Sequence, residues 1–182
     1  MLFQDKYVVY DIETSGFNSK TDVITQISAI RVVDGKKSNN LFNVFIKSGV
    51  PIPVQVQELT GITNEVLDMF GVSLHQAMSA FRAYVGTDCL IAHNGKRFDS
   101  KFIEAAGEST GIYINNQQED SMVLAKEVLP GLKSYSLASL VSYFDIQKRD
   151  AHRAQNDVLM LADVTEKLLE IKREQTGQTV LF

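Results

Sequence analysis

Apolar residues run almost without a break near the N-terminus and recur at helical spacing towards the C-terminus. The segment YVVYDIE is a continuous run of β-formers that ends in acids, which predicts a central strand covered on both faces. VITQISAIRVVDGKKSNNLFNVFIKS predicts two further strands joined by a turn at Asp34-Gly35-Lys36-Lys37. The stretch from Pro51 to Thr63 holds two of the three prolines and Gly61, and is expected to be irregular or a short helix. Ser73 should cap a helix through Val85, with Leu74, Ala77, Met78, Phe81 and Val85 on one face. CLIAH is a short buried strand, Phe98 to Ala106 a helix, and IYIN another short strand. Two helices follow near 121–128 and 137–143, and a long last helix near 154–174. Antiparallel strands followed by strands alternating with helices predict a mixed α/β sheet.

The 182 residues fit one domain with a sizeable core. Apolar and charged fractions of 45% and 22% are ordinary for a globular chain, and no apolar run is long enough to span a bilayer. The start, MLFQDKYVVY, lacks the features of a signal peptide. A lone cysteine, Cys89, precludes an internal disulfide, and its apolar setting suggests a buried thiol. A cytoplasmic location is expected. The net charge of −4 argues against tight nonspecific binding to nucleic acid, but not against chemistry on it.

Four acids and one histidine carry the chemical signal. Asp11 and Glu13 stand two apart on a strand and so project from one face. Two adjacent carboxylates repel unless a cation lies between them, and hard divalent ions take such ligands. The ordinary alternative is an acidic pair in a solvated turn. Ala154, Asp157, Val158, Leu161 and Thr165 share one face of the last helix, so Asp157 is an acid on a packed face. It requires a metal or a basic partner. His152 lies five residues earlier, about 140° around an ideal helix, so the two can share a site only if His152 precedes the helix start. That suits a general base, since an ordinary histidine titrates near pH 6.5; an exposed loop histidine is the alternative. Asp99 follows CLIAHN and opens a helix, where it could also be a simple first-turn acid.

With these residues in order, DIETSG, HNGKRFD and HRAQND resemble the three motifs of the DEDDh 3′→5′ exonucleases, related to the epsilon subunit of bacterial DNA polymerase III. The resemblance covers about Lys6 to Leu169. It implies a ribonuclease H-like α/β fold with a mixed sheet flanked by helices, and release of nucleoside 5′-monophosphates from a 3′ end; single-stranded DNA is the expected substrate. It also implies two Mg²⁺ or Mn²⁺ ions per site, organised by Asp11, Glu13, Asp99 and Asp157, with His152 as base. Thr14 matches a position near the terminal nucleotide, and LTGIT resembles a loop that wedges against the terminal base, making Leu59, Thr60 and Ile62 substrate contacts. Phe102 would pack near the sugar or base. His93 and Asn94 could orient the second motif. Lys96, Arg97, Lys148, Arg149 and Arg153 flank the motifs and could bind phosphates or be ordinary solvated charges.

Residues 1–175 form the expected nuclease domain and 176–182 a tail. Its QTVLF resembles the sliding-clamp pentapeptide of bacterial replication proteins, with Gln178, Leu181 and Phe182 as anchors. A polymerase III subunit is the other expected partner. RNA 3′-end trimming and a non-catalytic adaptor role in a replication complex are the competing readings.

Overall fold

A computed structural model describes residues 6–149 and 153–177. Five strands form one sheet in the order β3-β2-β1-β4-β5. β1 (Lys6–Thr14), β2 (Ile24–Val33) and β3 (Lys36–Phe45) are antiparallel neighbours, and β4 (Cys89–Ala92) and β5 (Gln118–Asp120) add in parallel beyond β1. The β2–β3 turn is tighter than the four residues expected. Only Asp34 and Gly35 lie outside the strands, both at positive φ (49° and 72°), the backbone that matches the twist of a hairpin.

β1 is central because its residues are apolar on both sides. Tyr7 and Val9 join a core with α5 (Ser121–Val128), α6 (Leu137–Tyr143) and α7 (Ala154–Thr176). Val8, Tyr10 and Ile12 join the opposite core with α3 (Leu74–Val85) and α4 (Asp99–Thr110). The alternation carries Asp11 and Glu13 to the α7 side of the sheet. α3 begins in a full capping box, Ser73 with Gln76, and buries Ala77, Met78, Phe81 and Val85.

The Pro51–Thr63 stretch contains a short helix, α1 (Val54–Thr60), and Thr63 caps a second, α2 (Asn64–Phe70), that the sequence pattern did not predict. Ile52, Ile62 and Leu67 form a small core of their own beneath them. IYIN is not a strand. Its Ile112 and Ile114 pack into the core beside α4, while the chain pairs with β4 only from Gln118 onward. α4 runs on to Thr110, ended by Gly111 in the left-handed conformation. Cys89 is half-buried, not buried as expected; burial and the nearby Glu119 push its thiol up to about 11. Among the described residues, no helix is long and apolar enough to cross a membrane.

Candidate metal centre and cleft

Three of the acids converge. Asp11 and Glu13 on β1 and Asp157 in the first turn of α7 each place a carboxylate oxygen within 4.8 Å of the others, all three half-buried. Strand alternation supplies the first two, and the packed face of α7 supplies the third. Asp157 Oδ2 accepts the Arg153 main-chain N–H at 3.2 Å, and Glu13 accepts the N–H of Ala154. The acids thus sit at the N-terminal end of a 23-residue helix, whose dipole favours negative charge.

Asp99 is the first residue of α4, buried against β1, where its carboxylate accepts the N–H of Ile12 and its own. It lies close enough to Asp11 to raise that group, but outside the three-acid cluster. Burial, then Asp99, Glu13 and Asp157, push Asp11 well above the usual carboxylate range. Burial and Asp157 push Glu13 up to about 7, against the opposing pull of Arg153. Asp99 is also pushed up to about 7, by burial first and partly by Asp120. Acids this crowded favour protons or a cation, and an all-oxygen donor set fits a hard divalent ion.

A cleft of about 540 Å³ opens beside Asp11 and Asp157. Leu137, Val141 and Met160 give it an apolar wall, and Lys148 and Arg149 bring two positive charges to its rim. His93 also lines it. Its Nε2 faces the Tyr135 carbonyl at 2.9 Å and therefore carries the proton, leaving Nδ1 to accept from the Ser121 hydroxyl at 2.8 Å. Burial lowers its pKa, so this imidazole is a neutral structural tie. Lys96 and Arg97 are exposed on the turn that precedes Asp99.

The remaining expected contacts divide. Leu59 is half exposed at the end of α1. Thr60 and Ile62 are buried; the Thr60 hydroxyl donates to the Val56 carbonyl at 2.8 Å, and Ile62 packs on Ile52 and Leu67. Those two hold the loop and Leu59 faces out. Thr14 is buried, and its hydroxyl donates to the Gly16 carbonyl at 2.6 Å. Phe102 lies beneath Phe98, ring centres 5.0 Å apart. His152, Gln178, Leu181 and Phe182 lie outside the described residues.

Sequence reasoning missed three features. Phe17, 88% exposed just beyond β1, stacks towards Phe98 at 6.2 Å and extends an aromatic ladder to the surface; a lone phenylalanine in the polar GFNSK loop was the available signal. Asp120 is a buried acid whose Oδ1 accepts from both Asn94 and Met122, fixing the turn before Asp99; Asp-Ser before a helix is a capping signal. Gln26 and Ser28, register partners of Glu13 and Asp11, both donate to Asn43 Oδ1 and continue the polar floor across the sheet; nothing in an otherwise apolar strand marked them.

The family model described as exonuclease matches residues 8–165. The PolC-type DNA polymerase III of Clostridium perfringens is 32% identical over 95% of this chain, which spans 12% of that relative's length. The DNA polymerase III epsilon subunit of Aquifex aeolicus is 30% identical, with 93% of this chain and 83% of that protein covered. Among solved structures, E. coli exonuclease I in complex with a dT13 oligonucleotide superposes with a TM-score of 0.82 at 18% identity, over 96% of this chain and 43% of that one. Exonuclease X in complex with 5′ overhanging duplex DNA superposes with a TM-score of 0.75 at 21% identity, over 95% and 94%. These two likenesses show the ribonuclease H-like fold.

Proposed function

Because the chain belongs to the exonuclease family, we propose that it removes nucleoside 5′-monophosphates one at a time from the 3′ end of single-stranded DNA. The observation that carries this reading is the convergence of Asp11, Glu13 and Asp157 beside a cleft with a cationic rim. Asp11, Glu13, Asp99 and Asp157 would hold two divalent cations, Mg²⁺ or Mn²⁺, and the ions would lend Lewis acidity to the attacking water and the leaving 3′-oxygen.

The chain's own side chains do the rest. Lys148 and Arg149 meet the phosphate, and the wall of Leu137, Val141 and Met160 excludes bulk water. Leu59 lies against the terminal base, Thr14 lies by the last sugar, and Phe102 supports the aromatic ladder. His152 takes the proton of the attacking water. The exonuclease unit is residues 1–175. The QTVLF tail, through Gln178, Leu181 and Phe182, binds a sliding clamp, which would concentrate an acidic, weakly binding enzyme at DNA. Deleting residues 178–182 should then abolish clamp binding and spare hydrolysis of free oligonucleotides; clamp binding that survives the deletion contradicts the tail's role. The tail, the sequence likeness to polymerase III subunits and the cytoplasmic expectation fit a replication or repair setting.

The test is digestion of matched DNA and RNA strands carrying the label at the 5′ or the 3′ end, with Mg²⁺, Mn²⁺ or EDTA. The expected result is a metal-dependent ladder from 5′-labelled DNA and immediate release of label from 3′-labelled DNA. Faster digestion of RNA would transfer the reading to RNA trimming. Degradation from the 5′ end would contradict it.

A further inference from the structure

Arg153 joins the loop carrying Leu59 to the acids. Its Nη1 donates to the Leu59 carbonyl at 3.3 Å. Its guanidinium also lies directly on Gly61, so that a Cβ added there would overlap it. Gly61 ends α1 at φ 67°, its N–H closing on the Gln57 carbonyl at 2.7 Å. The same residue reaches the metal centre from its other end. Its main-chain N–H holds Asp157 Oδ2, its charge acts on Glu13, and Ala154, next along the chain, donates its N–H to Glu13.

We propose that Arg153 is a positioning residue that sets the distance between the Leu59 wedge and the Glu13–Asp157 pair, so that a terminal nucleotide stopped by Leu59 presents its phosphate to the acids. The proposal rests on Leu59 being a terminal-base contact of a 3′→5′ exonuclease. α1 is a seven-residue helix, and among the described residues the buried cluster beneath this segment is small: Ile52, Ile62 and Leu67, with the partly buried Phe45 against them. Thr60 and Ile62 close this loop on itself, and Arg153 ties it to the acids. A misplacement of about 1 Å can cost a hundredfold in rate. A planar guanidinium held both by a carbonyl and by a glycine face fixes direction as well as distance, which a lysine ammonium does not. A phosphate-binding role for Arg153 would act on affinity, whereas a positioning role acts on the bound complex.

The experiment uses the full chain as wild type, Arg153→Gln, Arg153→Lys, Leu59→Ala and the Arg153→Gln/Leu59→Ala double variant. Affinity for a fluorescent single-stranded oligonucleotide is read in Ca²⁺, and turnover at saturating oligonucleotide in Mg²⁺. Arg153→Gln should lower saturated turnover by about tenfold or more while the dissociation constant moves by less than about twofold. Arg153→Lys should recover only part of the loss. In the Leu59→Ala background, the same glutamine should change turnover by less than about twofold, because the two act as a unit. Gly61→Ala, which displaces the guanidinium with the arginine still present and also strains the left-handed α1 cap, should lose at least as much turnover. A raised dissociation constant with normal saturated turnover overturns the proposal in favour of phosphate binding. Additive losses, or a wild-type rate in Gly61→Ala, also overturn it. These results leave wild-type exonuclease activity standing; an inactive wild type overturns both readings.

Discussion

Asp157, on the last helix, and Glu13, on the first strand, meet within 4.8 Å, and burial together with Asp157 drives the Glu13 carboxyl up to about 7. The fold brings like charges together at a cost that bound protons or cations relieve, and that the Arg153 charge and the α7 N-terminus ease in part. Asp157→Ala removes one of these charges. In EDTA the variant should melt at or above the wild-type temperature, while turnover falls by roughly a hundredfold or more, the scale of losing one electrostatic partner. Saturating Mn²⁺ at about 100 times its dissociation constant should raise the wild-type melting temperature by about 5–10 °C, and the variant by much less. Thermal melts with and without Mn²⁺ check this.

Phe17 is almost fully exposed, so its ring contributes little to the core. Its place at the end of the Phe17–Phe98–Phe102 ladder suits a base-stacking platform. Base stacking on an aromatic ring is worth about 1–3 kcal/mol, so Phe17→Ala should weaken binding of single-stranded DNA by roughly 5- to 150-fold. Its melting temperature should stay at the wild-type value. Fluorescence anisotropy in Ca²⁺ beside a thermal melt separates the two effects.

A histidine base predicts a rate that rises with pH through about 6.5 and then levels. His152→Ala should lower the rate and remove that limb. His93→Gln should keep it, since burial lowers the His93 pKa against the opposing pull of the Tyr135 carbonyl and Asp120, and the ring is tied to Ser121 and Tyr135. Single-turnover rates from pH 5.5 to pH 9 decide; a limb that survives His152→Ala assigns the titration to another group.

Far from the acids, Asp88 binds Arg31 Nε at 2.6 Å and Lys6 Nζ at 3.0 Å, pinning the start of β4 to β2 and β1. Burial pushes its carboxyl up, but hydrogen bonds from Arg31 and Lys6 outweigh burial and hold it below the usual range. A depressed carboxylate contributes stability that is complete above its unfolded pKa of about 3.9 and lost as pH falls through the folded value. Asp88→Asn should cost about 1–3 kcal/mol at neutral pH and flatten the acid limb of stability, without changing turnover at 20 °C. Urea unfolding at pH 7 and pH 3 measures both.

The sequence was legible where one local rule decided the outcome. The β1 run, the alternation that pairs Asp11 with Glu13, the Ser73 cap and the packed face holding Asp157 all follow from spacing. IYIN misled because buried isoleucines read alike in a strand and in an irregular segment packed beside α4. The α6 wall of the cleft, the Asn43 hydrogen bonds to Gln26 and Ser28, and the Arg153 contact with Leu59 join residues far apart in the chain. No periodicity encodes such pairs, because tertiary packing alone brings them together. Leu59, Thr60 and Ile62 form one motif in sequence, yet only Leu59 is exposed, since the Thr60 hydroxyl and the Ile62 side chain close the loop on itself.

The most direct test of the proposed metal centre is digestion of a 5′-labelled single-stranded DNA by wild type and Asp11→Asn, side by side, in Mn²⁺. Asp11 lies closest to the middle of the acid cluster in electrostatic terms, since Asp99, Glu13 and Asp157 all act on it. The wild type should give a ladder shortening from the 3′ end and the variant an intact strand, both proteins being equally folded. An equal ladder from Asp11→Asn would contradict the proposed metal centre.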